Sequence, residues 1–142
     1  MLLERARTAG PPLDGPADLA AYTLMEEDNP RGSADFVSWT RWLRQQGLPD
    51  MQPARWVYFN YTHQQVQAAL AGQGVAMARL ALTVDATSRG ELIEVFPGCR
   101  LESPYGYWLV KPPATQMTDD AKRFCEWVEA QAAATRATMA AL

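Results

Sequence analysis

Residues 61–79, Y-T-H-Q-Q-V-Q-A-A-L-A-G-Q-G-V-A-M-A-R, constrain the fold more than any other part of the sequence. A helix start, a helix stop and the strand that follows are written in one run. Thr62 is a natural N-cap, and Gln65 three residues on completes a T-x-x-Q capping box. Tyr61 before the cap and Val66 behind it are spaced for a hydrophobic staple. Val66, Ala69 and Leu70 make an apolar stripe, and Gly72 stands where a left-handed C-cap is wanted. Gly74 then releases the chain into the apolar run Val75-Ala76-Met77-Ala78, which reads as a buried strand. With the strand expected at residues 56–59, this is a strand–helix–strand step. Its helix opens at the end of a strand, where open α/β sheets place their ligands.

A chain of 142 residues with 48% apolar composition and five tryptophans can build one domain with its own core. The net charge of −3 argues against a chain that grips DNA or an anionic membrane by itself. The apolar runs are far shorter than a membrane span, and the N-terminus lacks a signal-peptide core. Cys99 and Cys125 are widely separated and show no metal-ligand spacing, so they read as reduced thiols of a cytoplasmic protein. No metal site and no cofactor are implied.

Residues 1–15 read as a leading segment ending in the turn-rich G-P-P-L-D-G-P. Pro16 starts a helical turn whose inner face is Leu19 and Tyr22. A short strand at residues 23–25 runs into the acidic Glu26-Glu27-Asp28-Asn29-Pro30, readable as a ligand-facing loop or as a solvated turn. Ser33 is placed to cap a helix reaching Gln46, with Phe36, Trp39, Trp42 and Leu43 inward. Gly47 stops that helix and Pro49 prevents its resumption. Residues 80–88 read as a short helix, residues 92–96 as a strand, and Tyr105-Gly-Tyr-Trp-Leu-Val110 as a second aromatic strand. Thr118 caps a last helix, with Asp119 and Asp120 favoured in its first turn. Ala121, Phe124, Cys125, Val128 and Ala132 form its buried stripe, and residues 132–142 are expected to fray. Five short strands alternating with helices make an α/β pattern with a mainly parallel sheet.

Catalytic constellations are missing. There is one histidine, His63, and no G-x-S-x-G, H-E-x-x-H, Walker loop or C-x-x-C. His63 could serve acid–base chemistry, or simply line a pocket rim. Cys99 beside Arg100 could favour a thiolate, but no partner base is evident. An enzyme is not expected.

The run Gln67-Ala-Ala-Leu-Ala-Gly-Gln-Gly-Val-Ala-Met77 resembles the signature of the effector-binding domain of LysR-type transcriptional regulators. Arg89-Gly-Glu-Leu-Ile93, Ser103-Pro-Tyr-Gly-Tyr-Trp-Leu-Val110 and Phe124-Cys-Glu-Trp127 follow in the order of that family. Upstream, Gly15-Pro-Ala-Asp-Leu19 and Trp39-x-x-Trp42-Leu43 are similar to the branch of glycine-cleavage activators and β-lactamase regulators. The resemblance spans nearly the whole chain, with residues 16–131 as the domain proper.

That resemblance implies a periplasmic-binding-protein-like (type 2) fold. One lobe would be present, with the returning strand and C-terminal helix of the other, and the helix-turn-helix and first lobe would be absent, as in a truncated chain. It implies a small, anionic effector, an organic acid or amino-acid-like molecule, held in an interlobe cleft to control transcription. DNA would be a partner only through the missing domain. The residues carried over are Thr62 and His63 at the helix N-terminus, Tyr107 as a cleft-lining tyrosine, and Glu26, Met77 and Arg79 around the rim. An incomplete lobe implies exposed apolar surface, dimerisation, or folding of that end onto the resident lobe, and a homo-oligomer is expected. The alternatives are a stand-alone binding or interaction domain of the same lobe fold with no DNA role, and a small α/β enzyme using His63 or Cys99.

Overall fold

The computed structural model describes residues 2–5 by their backbone, and residues 11–28, 37–113 and 116–142 in full. Two compact units divide the chain, Met1–Ser103 and Pro104–Leu142.

The first unit is built on a five-stranded sheet of β1 (Leu2–Arg5), β2 (Thr23–Glu27), β3 (Arg55–Phe59), β4 (Val75–Met77) and β5 (Leu92–Glu94). Their spatial order is β3-β2-β4-β1-β5. β2 pairs in parallel with both β3 and β4, whereas β1 is antiparallel to β4 and β5. The register sets Leu24 opposite both Trp56 and Val75, and Leu3 opposite Ala76 and Glu94. The sheet is therefore mainly parallel with one reversed strand.

Side-chain alternation along the central strands divides the core in two, as a sheet covered on both faces requires. Met25, Ala76 and Ala78 face Val66, Ala68 and Ala69 of α2 (Thr62–Leu70) and Ala86 of α3 (Val84–Ser88), with Val57 and Phe59 packed against them. Leu24, Val75 and Met77 face the other way, toward Leu19 of the 3-10 turn Pro16–Ala21, Tyr22 that caps it, and Trp39, Trp42 and Leu43 of α1 (Trp39–Gln45). Burying such large side chains supplies the main driving force. The two tryptophans are core, meeting edge to face with ring centroids 5.7 Å apart. Each indole also finds a backbone acceptor: Trp39 Nε1 donates to the Met25 carbonyl at 2.9 Å and Trp42 Nε1 to the Cys99 carbonyl at 2.6 Å.

The stop signals act as read. Gly72 is left-handed (φ +72°), the Gly72 N–H bonds the Ala69 carbonyl and the Gln73 N–H bonds that of Ala68, a Schellman closure. Gly74 (φ +151°) is needed for a second reason. A Cβ there would stand 2.3 Å from the Thr23 carbonyl oxygen, so only glycine lets β4 enter beside β2.

Several boundaries differ from expectation. Leu2–Arg5, expected within a leading linker, form a strand inside the sheet between β4 and β5. Leu-Leu-Glu-Arg is too short for alternation to declare a strand, and the neighbours that pair with it come some 70 to 90 positions later. The cap of α1 is Ser38, whose hydroxyl accepts from the Arg41 N–H at 3.2 Å; Ser33 and Phe36 lie outside the described residues, as do Asn29 and Pro30. The segment expected as a helix over residues 80–88 is a 3-10 turn, Leu80–Leu82, followed by α3.

The second unit consists of an extended segment and α4 (Asp119–Ala140). The aromatic strand expected at residues 105–110 does not form, and its residues pair in no ladder. α4 is capped as expected, with the Thr118 hydroxyl accepting from the Ala121 N–H at 3.2 Å. It runs to Ala140 instead of fraying from residue 132, because alanine is the strongest helix former. The stripe read as buried is not: no residue of α4 is buried, and Phe124 and Trp127 stack on each other while exposed.

Candidate functional site

The carboxyl ends of β2, β3 and β4 collect the polar groups of the first unit. The α1 crossover from β2 to β3 lies on one face of the sheet, and the α2 crossover from β3 to β4 on the other. β2 is thus flanked on both sides by strands whose connections leave in the opposite sense. That is a topological switch point, the place where an open α/β sheet leaves a crevice.

Two acids end β2 at this point, and alternation sends them to opposite faces. Glu26 Oε1 accepts from the backbone N–H of Trp39, the first residue of α1, at 2.8 Å. Glu27 Oε2 accepts from the hydroxyl of Thr62, the first residue of α2, at 2.6 Å. Each acid therefore meets the start of a helix, where free N–H groups and the macrodipole favour negative charge. Burial pushes the Glu26 carboxyl above its ordinary value of 4.5, and the hydrogen bond from Trp39 partly offsets that. The ladder continues one step past the strands, with the Asp28 N–H donating to the Phe59 carbonyl at 2.7 Å.

The start of α2 differs from the expected capping box. Tyr61 is the N-cap and no side chain caps it; Thr62 is the first helical residue and its hydroxyl is turned to Glu27. Tyr61 is exposed and lies over His63, rings stacked 5.7 Å apart, so no staple to Val66 forms. Gln65 does not reach back to the cap. It is 1% exposed, and neither its Nε2 nor its Oε1 has a hydrogen-bond partner.

Of the residues singled out from sequence, Glu26, Thr62, His63 and Arg79 gather at this edge, Arg79 exposed just beyond β4. Met77 does not line it. Its side chain is buried in the core cluster of Leu24, Trp39 and Trp42, because position 77 shares the face of Val75. Tyr107 belongs to the second unit, where its side chain is 70% exposed. Glu27 and Gln65 are the residues that mattered more than sequence suggested. Adjacent acids at a strand end hint at Glu27, but nothing in a helix-compatible glutamine announces an unpartnered amide.

The catalytic alternatives lose their local rationale. Nε and Nη2 of Arg100 fork onto Glu94, at 2.8 and 2.6 Å, which occupies the cation expected to serve Cys99. His63 stacks on Tyr61 and has no acid or hydroxyl partner among the described residues. No group of three or more potential metal ligands occurs among the described residues, and no described helix is long and apolar enough to cross a membrane.

Comparison with known proteins agrees with this architecture. Residues 4–133 match the LysR substrate binding domain. The glycine cleavage system transcriptional activators of Escherichia coli (strain K12) and Escherichia coli O157:H7 are each 30% identical over 127 residues, covering 89% of this chain. The chain spans 39% of the length of those relatives. The effector domain of the transcriptional regulator AmpR of Pseudomonas aeruginosa superposes with a TM-score of 0.63 at 25% identity, over 96% of this chain and 62% of that one. The AmpR effector binding domain from Citrobacter freundii gives 0.61 at 21%, over 89% and 59%, a likeness of fold. These relatives are regulators, and their effector-domain fold is the periplasmic-binding-protein-like type 2 arrangement of a mixed α/β sheet. With a match that spans most of its length, the chain belongs to the LysR substrate-binding domain family.

Proposed function

We propose that this chain is the effector-sensing part of a LysR-type transcriptional regulator, holding a small molecule at the carboxyl edge of β2, β3 and β4. The observation that carries the reading is the anchoring of both helix starts on the end of β2, Glu26 on α1 and Glu27 on α2. A ligand that disturbs either contact changes how a helix is seated on the sheet. Occupancy is thereby coupled to the position of an element, the minimum a sensor needs. In the full effector domain this edge forms one wall of an interlobe cleft.

The candidate contacts are Thr62, His63, Arg79 and Glu26, with Glu27 joining them. Organic acids and amino-acid-like molecules are the first ligands to test. DNA contact falls to a helix-turn-helix outside this acidic sequence, and the setting is the cytoplasm. The chain works as a homo-oligomer.

A titration with small organic acids and amino acids, followed by thermal shift and by proton–nitrogen correlation spectra, tests the reading. A binder is expected to raise the midpoint and to move the amide signals of Glu27, Thr62 and His63. Shifts confined to surfaces away from the ends of β2, β3 and β4 would refute the placement.

A further inference from the structure

Gln65 is the one described residue whose buried side-chain polar atoms lack any partner. Its carboxamide offers two donors and an acceptor, and the side chain is 1% exposed. Leaving such a group unsatisfied destabilises the fold relative to an apolar side chain of the same shape. Native interiors leave few groups in that state, and each calls for a physical reason.

Helix geometry says where this amide points. Gln65 is the fourth residue of a nine-residue helix, on the face that carries Val66 and Ala69 into the core. Helical side chains lean toward the N-terminus, so Gln65 extends beneath the turn begun by Thr62. That turn is the one whose threonine holds Glu27 at the end of β2. The unpartnered carboxamide therefore lies under the start of α2, at the sheet edge where the ligand was placed above.

The chemistry of the amide narrows the ligand. A carboxylate would satisfy Nε2 and leave Oε1 unpaired, and an ammonium would do the reverse. A group that both donates and accepts satisfies both atoms at once, as one carboxamide does for another. The surroundings point the same way. Glu27 already faces the start of α2, with Asp28 next in sequence, against Arg79 just beyond β4. A second carboxylate at the base of this site would meet charge of its own sign.

We infer that the Gln65 carboxamide is the specificity-determining floor of the site, and that it takes a neutral amide-type group of the ligand in a two-bond pairing. This rests on the sensing role proposed above, and it replaces an anionic group by an amide at this one point of contact. The ligand enters by parting the Thr62–Glu27 hydrogen bond.

Propionamide and propionate are matched probes that differ in this group. Titrated into the chain, propionamide is expected to shift the side-chain NH2 signals of Gln65 and the amides of Thr62 and Glu27, and propionate is expected to leave the NH2 signals in place. Gln65→Met keeps the length of the side chain and removes the amide, and should weaken the propionamide response at Thr62 by about tenfold or more. Gln65→Leu is a second variant with the same expected loss. Equal responses to the two probes, an unmoved Gln65 side chain, or an undiminished response in both variants would overturn the assignment. An ordered water as the sole partner of the amide, seen as cross-relaxation that propionamide does not displace, would overturn it too. An organic acid or amino acid that moves Tyr61 to His63 equally in wild type and variants would leave the sensing role standing without Gln65. Absence of any response there to any ligand would remove the sensing role itself.

Discussion

Trp42 and Trp108 are the same residue in opposite circumstances. Trp42, in the first unit, is 1% exposed, donates its indole N–H to the Cys99 carbonyl and stacks on Phe96 with centroids 5.8 Å apart. Trp108, in the second unit, is 87% exposed, and its neighbour Val110 is 88% exposed. Both stand in runs that look like core in the sequence. The difference teaches that an aromatic run is a demand for burial, and only a partner surface meets it. In the first unit the sheet supplies that surface on both faces. Within the second unit α4 and its extended neighbour bury no large side chain, and local terms hold them: the Thr118 cap, the Lys111–Glu129 ion pair and a run of alanines.

That contrast can be broken by mutation, the largest effect coming first. Trp42→Ala should cost about 3–5 kcal/mol of unfolding free energy, as for other fully buried aromatics. Trp108→Ala should change it by less than about 0.5 kcal/mol, as at other exposed positions. Chemical denaturation of both variants measures this, and equal losses would mean that Trp108 is covered in solution.

Gly74→Ala should come next. The positive φ alone costs about 1–3 kcal/mol, and the added Cβ must also push the Thr23 carbonyl aside. A denaturation midpoint unchanged by this substitution would remove the close approach of β4 to β2 as a determinant of the first unit.

Thr118→Ala probes the other side of the comparison. Losing the cap should cost about 1 kcal/mol, and because α4 lacks a buried face the loss should appear as lower helicity in circular dichroism. The cooperative unfolding of the first unit should not move.

The smallest effect belongs to Glu26. Its carboxyl titrates above its ordinary 4.5 in the folded state, chiefly through burial, so the folded protein binds that proton more tightly than the unfolded one. Stability from this group is fully present below about 4.5 and is lost as pH rises through the folded value. Glu26→Gln keeps an acceptor for the Trp39 N–H and removes the titration. The variant should be slightly the more stable at neutral pH, and the gap should close on acidification. A gap that widens toward acid would reverse the sign of the shift.

Local signals carried much of the fold. Gly72 ends α2 and Thr118 begins α4 as their residue types require, and Leu19 and Tyr22 bury the inner face of the Pro16 turn. The misses share one cause. Leu2–Arg5 form a strand that the sequence does not announce, and residues 105–110 form none where it suggests one, because a strand exists only through its ladder and the ladder partner is distant in sequence. At the candidate site, Thr62 and Glu26 were legible as polar residues at element ends. Their contacts were not: the Thr62 hydroxyl bonds an acid 35 positions away rather than its own helix.

What the sequence determines by itself is therefore the local grammar of residues 61–79: a helix, its glycine stop, and the buried strand that follows. The tertiary structure decides what faces that helix. It sends Met77 into the core, sets Glu27 against Thr62, and leaves the Gln65 amide buried without a partner. Propensity and capping act over a few neighbouring residues, whereas burial and hydrogen-bond partnership are settled by surfaces that meet only when the chain has folded.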